Sequence, residues 1–226
     1  MIQNVTRCRR WMTCIIDPMY IDFHDNEWGK PVYDDIKLFE SLNLNAQSCG
    51  LTWLTVLKKR EEYRNSFFGF NPVEISKMTD RDVDKLMLNT GLIRHRPKLQ
   101  AIIDNSKAYV TMKQGNESFS DYIWSFVNHK TICHPEGQLI LTTPESNAMS
   151  KSLKKKGFKF IGPTTCYSFM QHSGLVNDHH HLCSFGNNPL PKDSPLLQES
   201  TSDRVFSTPF QCPAHSKLYK TLKTHK

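Results

Sequence analysis

Helical spacing of apolar residues, repeated from segment to segment with no long alternating run between, is what most restricts the folds open to this chain. In DDIKLFESLNL, Leu38, Phe39 and Leu42 share one helical face, and LTWLTVLKKREEYRNSFF repeats the pattern with Leu54, Leu57 and Phe67. Stop and start signals punctuate the rest. Thr79 precedes DRDVDKLML with Asp82 three residues on, a short form of the capping box. RPKLQAIIDNSKAYVTMKQG has proline near its start and glycine after its end. SDYIWSFVN is amphipathic, TPESNAMSKSLKKKG has a Thr cap, an early proline and a closing glycine, and TTCYSFMQHSG follows. QLILT at 138–142 is a short strand candidate with no obvious partner. The prediction is an all-α protein. Within it, SLNLNAQSCGLTW (41–53) stands out, because it sets Asn45, Gln47, Ser48 and Cys49 among apolar helical positions.

Composition changes near Asn187, where Pro, Ser, Thr and Lys take over. This divides the chain into one domain over 1–188 and a basic extension over 189–226. From Leu190 onward six Lys/Arg stand against three Asp/Glu, so part of the overall +7 lies in the extension. A basic balance favours an acidic partner such as nucleic acid or an anionic membrane surface. No run is long enough to span a membrane, and MIQNVTRCRRWMTC has no apolar signal core, which reads as intracellular. Seven irregularly spaced cysteines do not suit a disulfide framework, but they are compatible with metal ligation. Cys49, Cys133, Cys166 and Cys212 read as simple small residues, Cys49 and Cys166 as buried ones.

Two further patterns have chemical meaning. In LKKKGFKFIGPTTCYSFM (153–170) one helix closes at Gly157 and the next opens after Gly162. This is either a plain turn or a hairpin offering helix N-terminal amides to a phosphate. Lys154, Lys155, Lys156 and Lys159 would add to the second reading, and Phe158 and Phe160 read as core in both. The other pattern is a set of soft ligands at the two ends of the domain. His179 and Cys183 lie one helical turn apart in NDHHHLCSFG, with His24 as a third ligand and Cys8 or Cys14 as the fourth.

Several of these segments together resemble the DNA-3-methyladenine glycosylase I family. They are DPMYIDFHDNEWG, KLFESLNL, GLTWLTVLKKREEYR, GLIRHRPKLQAIIDNSKAY, YIWSFVNH and MSKSLKKKGFKFIGPTTCYSFMQHSGLVNDH, spread over roughly residues 8–188. The resemblance implies an all-α fold of the helix–hairpin–helix DNA glycosylase superfamily. It also implies one structural Zn2+ joining the N- and C-terminal parts. The ligands it implies are Cys8 (or Cys14), His24, His179 and Cys183, and the DNA backbone contacts are Lys159, Gly162, Thr164 and Thr165. The implied activity is monofunctional hydrolysis of the glycosidic bond of 3-methyladenine in double-stranded DNA, during base-excision repair, on a flipped-out nucleotide. The implied protein is a monomer of the bacterial cytoplasm, acting at the nucleoid, without a membrane role. No lysine follows the hairpin glycine, which favours water over a lysine Schiff base.

The base pocket implied by the resemblance consists of Tyr20, Phe23, Asn45, Gln47 and Trp53, with Asn45 and Asp178 as the candidate catalytic residues. Asp178 beside His179 reads equally as a support for the metal site. Arg94, His95 and Arg96 are candidates for DNA backbone contact or for local ion pairs. The chain departs from the family pattern at three places. Phe23 stands where the family has tyrosine, Trp11 is displaced by altered spacing, and Asn45 replaces a glutamate that accepts hydrogen bonds from the base. An amide keeps an acceptor but loses the charge. The alternative to an active glycosylase is therefore a weak or inactive damaged-DNA-binding protein of the same fold.

Overall fold

The computed structural model describes residues 5–8, 17–134 and 140–186. The expected extension, together with Cys14, Trp11 and Cys212, lies outside them. Asp17 accepts the Met19 amide and opens α1 (Pro18–Asn26), and Asp34 opens α2 (Asp35–Gln47) by accepting from Lys37 N–H at 2.8 Å. The single helix suggested over 51–68 is instead two, α3 (Trp53–Leu57) and α4 (Arg60–Ser66). Between them the backbone leaves the helical region at Lys59, whose Nζ reaches the carbonyls of Thr90 and Gly91. A 3₁₀ turn (Phe68–Phe70), α5 (Pro72–Ser76), α6 (Asp80–Leu88), α7 (Arg96–Gln114) and α8 (Phe119–Ser125) follow, then α9 (Pro144–Lys155) and α10 (Pro163–His172). The Thr79–Asp82 and Thr143–Ser146 caps form as the sequence suggests.

The fold is mostly helical, but it includes one two-stranded parallel pair, β1 (Ile132–Cys133) and β2 (Val176–Asn177), with Ile132 opposite Val176. The strand candidate at 138–142 is not part of it. Residues 138 and 139 lie outside the described set, and 140–142 are irregular.

Helix α2 is the hub, packing on α3, α7, α8 and α10. Its first turns are amphipathic, but from Leu42 to Gln47 every side chain is buried. A helix enclosed on all sides has no solvent face for polar groups, so each amide in this run must find a partner inside the protein. Leu38, Phe39 and Leu42 are fully buried and anchor the hub. Leu42→Ala would cost about 2–5 kcal/mol.

Candidate base-recognition pocket and metal centre

Asn43, Asn45 and Gln47 resolve the puzzle of polar residues in α2, each differently. Residues two apart on a helix point to opposite sides, whereas residues four apart share a face. Asn43 and Gln47 accordingly turn toward α7. Asn43 Oδ1 accepts from Asn105 Nδ2 at 2.8 Å. Gln47 Nε2 donates to the Lys98 carbonyl at 2.8 Å, and its Oε1 accepts from the Tyr63 hydroxyl at 3.2 Å. Buried Lys98 returns its Nζ to the carbonyls of Gln47 and Cys49, capping the C-terminus of α2 with a cation. Burial pushes the Lys98 pKa down. Gln47, expected in the base pocket, thus has both ends of its amide engaged with the core.

Asn45 lies on the other face with Ser41. Its Nδ2 donates to the Ser41 carbonyl at 2.8 Å, while its Oδ1, fully shielded, has no partner. Ser41 in turn bonds Ser173, which follows directly on α10. At that end of α10 stands His172, and its ring packs 4.3 Å from Trp53 and 5.0 Å from Phe23, with Phe23 and Trp53 themselves 5.4 Å apart. Tyr20 joins the same apolar cluster. Trp53 Nε1 and His172 Nδ1 are shielded and unpartnered, as Asn45 Oδ1 is. Burial pushes His172 down to about 3, so its ring is neutral. Three orphaned polar atoms, two of them on the touching rings of Trp53 and His172, are a feature that folding alone does not favour, since each costs about 1–3 kcal/mol. His172 was not among the residues singled out from sequence. A histidine in the last turn of a helix reads as a C-terminal charge partner, and only packing reveals its neighbours.

Phe23 leads into a second centre through the next residue, His24. The ligand atoms of Cys8, His24, His179 and Cys183 all lie within 4.8 Å of one another, and all four residues are buried. Cys8 Sγ is 3.5 Å from His179 Nδ1, which is 3.2 Å from Cys183 Sγ, and Cys183 Sγ is 3.8 Å from His24 Nε2. A tetrahedral ion with bonds of about 2.0–2.3 Å needs ligand atoms roughly 3.3–3.8 Å apart, and these three separations lie close to that range. The surroundings also select the correct ring nitrogens. His24 Nδ1 faces Asp25 Oδ1 at 2.8 Å and His179 Nε2 faces the Trp28 carbonyl at 3.0 Å. Both partners accept, so each ring turns its other nitrogen to the cluster. Burial opposes the charge of Asp25, but bonds from Arg7 and His24 still hold its carboxyl below the usual range. The hydrogen bond to Cys8, together with those from His179 and His24, draws the Cys183 thiol down, while Cys8 is pushed up. Gly186 lies against His179 so closely that a Cβ there would come within 2.2 Å of the His179 Cβ. These four residues could hold a metal ion. His179 and Cys183 do not share a helical turn as expected; a turn closed by Cys183 N–H on the His180 carbonyl brings them together.

The hairpin between α9 and α10 is held from below. Lys159 N–H donates to Asn105 Oδ1 at 2.6 Å, and Ser150 Oγ donates to the Ile161 carbonyl at 2.6 Å. Gly157 (φ 98°) turns the chain out of α9. Gly162 caps α10 with no side-chain bond to its first turn, which opens with Pro163 and exposed Thr164; Lys159 is exposed just before it. Thr165 Oγ1 lies 3.3 Å from Cys49 Sγ, and Cys49 is half-buried rather than enclosed. Phe158 is core as expected. Phe160 is not; its φ of 55° turns the ring out, 37% exposed. Lys156 is occupied by Glu117 and the Tyr122 ring.

Asp178 accepts from Tyr167 Oη and Gln171 Nε2, both at 2.6 Å, and pairs with His134 at 2.7 Å. These bonds tie α10 to the β1–β2 pair and engage both carboxylate oxygens. Arg96 pairs with Asp84, His95 caps α7 by accepting from Lys98 N–H, and Arg94 is exposed. No described helix is long and apolar enough to cross a membrane.

Residues 11–186 match the family model described as methyladenine glycosylase. The chain is 57% identical over 168 residues to the DNA-3-methyladenine glycosylase of Haemophilus influenzae, covering 73% of this chain and 91% of that one. It is 52% identical over 178 residues to DNA-3-methyladenine glycosylase 1 of Escherichia coli, covering 76% and 95%. A crystal structure of 3-methyladenine DNA glycosylase I superposes with a TM-score of 0.77 at 50% identity, covering 79% of this chain and 98% of that one.

Proposed function

The chain belongs to the methyladenine glycosylase family, and from that premise we propose that it hydrolyses the N-glycosidic bond of 3-methyladenine in double-stranded DNA, as a monomeric, monofunctional base-excision enzyme. The observation that carries the reading is the unpartnered Oδ1 of Asn45 on α2, a helix packed against α3 and α10, whose Trp53 and His172 meet Phe23 in an aromatic wall. A flipped, cationic purine supplies what that wall lacks: a π-face and positive charge for the rings, and an N–H for the amide oxygen. The methylated base leaves as a neutral molecule, so the reaction needs little acid help. Water takes its place on the sugar, and the pocket contributes positioning and electrostatic fit. Asn45 acts as a hydrogen-bond acceptor and not as a base. The bonds of Asp178 to three donors favour a supporting role for it.

The hairpin supports a helix–hairpin–helix mode of binding, in which the first amides of α10, Thr164, Thr165 and Lys159 hold a DNA phosphate. Two sulfur and two nitrogen donors in tetrahedral spacing suit Zn2+ on Cys8, His24, His179 and Cys183. An ion with four protein ligands has no open position for water and supplies folding energy alone. Because α1 bears both Phe23 and His24, the same ion fixes the pocket wall.

The test is incubation with methylated duplex DNA and chromatographic identification of the released bases. Release of 3-methyladenine supports the proposal. Salt-dependent binding to the same DNA without release would support the alternative, a damaged-DNA-binding protein, which the missing carboxylate at Asn45 favours.

A further inference from the structure

We propose that His172 is a specificity-determining residue, its Nδ1 accepting a hydrogen bond from the exocyclic amine of a 6-amino purine held against Trp53; this rests on the glycosylase reading above. A residue needed only to fill space at the end of α10 would be apolar. His172 instead brings a ring nitrogen to a place where no polar group of the described residues meets it. Its neighbours on the wall are Trp53 and Phe23, whose rings it touches. The neutral ring keeps a lone pair, and with its N–H on Nε2 that lone pair sits on Nδ1.

The three orphaned atoms form a pattern. Asn45 Oδ1 and His172 Nδ1 accept, and Trp53 Nε1 donates. A 6-amino purine offers two N–H on one nitrogen and ring nitrogens that accept, so it can satisfy all three. A 6-oxo purine turns a carbonyl oxygen toward the same two acceptors and leaves them facing lone pairs. Sites built to pair a polar group reject analogues that leave it unpaired far more strongly than apolar sites discriminate by size. Without a carboxylate at Asn45, this set reads the base edge by neutral hydrogen bonding, and His172 is half of its acceptor capacity.

The experiment compares the parent with His172→Phe, which keeps a ring and removes the nitrogens, and His172→Asn, whose amide can restore an acceptor near Nδ1. Duplex DNA methylated to contain both 3-methyladenine and 3-methylguanine is the substrate. Binding of free 3-methyladenine is followed by tryptophan fluorescence. His172→Phe should lower kcat/KM for 3-methyladenine roughly tenfold, weaken free-base binding similarly, and raise 3-methylguanine release, because the lone pair that faces the 6-oxo group is gone. His172→Asn should recover most of the difference. Unchanged selectivity and unchanged free-base affinity in a folded His172→Phe would overturn the proposal. If that variant does not fold, His172→Leu is judged by the same two readouts. A parent that binds free 3-methyladenine but releases no base would refute the glycosylase reading, and the binding comparison would still decide the role of His172.

Discussion

Asn45→Glu isolates what the missing charge is worth. The site is enclosed, with Asn45 1% exposed and only its Nδ2 bonded, to the Ser41 carbonyl. A carboxylate there would face the cationic base across a hydrogen bond. The gross attraction of unit charges at about 4 Å is on the order of 4 kcal/mol at an effective dielectric near 20, and desolvation takes back most of it. Net, a charged acceptor is worth about 1–2 kcal/mol more than a neutral one. The expectation is therefore a roughly tenfold rise in kcat/KM for 3-methyladenine release at pH 8. The free protein would suffer, because the introduced carboxylate is desolvated and the bond to Ser41 is lost, at about 2–3 kcal/mol together. Burial raises the pKa of the introduced carboxyl, so the gain in activity should fade as pH falls through that raised value, where stability should partly return. The assay is timed base release from methylated DNA at pH 6 and pH 8, beside urea unfolding at both. An unchanged kcat/KM at pH 8, in a folded variant with the parent's metal content, would refute the idea that charge at this position limits the reaction.

Asp25→Asn should weaken the proposed zinc binding about 10–100-fold, because it loosens His24 without touching a ligand atom, as competition with a chromogenic chelator would show. Asn105→Leu should lower stability by about 3 kcal/mol in urea titration, because it orphans the Lys159 amide and Asn43 Oδ1 in the interior. His172 has its folded pKa pushed down to about 3, so the unfolded chain binds the extra proton first as pH falls. Stability should decline from about pH 6.5 toward pH 3, and His172→Phe should flatten that decline in thermal melts across the range.

The helices were legible because their ends are chemical. Thr79 with Asp82, Thr143 with Ser146, and the prolines of α7, α9 and α10 act locally, so sequence neighbours suffice to place them. The break at Lys59 was not legible, since the groups it reaches lie thirty residues away. The cluster of Cys8, His24, His179 and Cys183 was readable as a ligand set, though the chain brings the last two together by a turn and not by a helix. Gln47 has its amide bonded to the Lys98 carbonyl and the Tyr63 hydroxyl. It was grouped with Asn45, yet two positions along a helix mean opposite faces, and a count of residues already held that distinction. Phe160 was assigned to the core by its hydrophobicity, but a positive φ overrode it. His172 had no signal in sequence, because its meaning lies in Trp53, more than a hundred residues earlier.

The four-residue Cys/His cluster proposed to hold zinc has a consequence for how the protein is made. Cys8 and His24 leave the ribosome early, while His179 and Cys183 follow about 155 residues after His24. At typical translation speeds that gap lasts on the order of ten to thirty seconds. Through all of it the nascent chain can offer an ion only half a coordination shell. Capture of the proposed ion would therefore come at the end of synthesis, and a message truncated anywhere before residue 183 yields a chain without a complete ligand set.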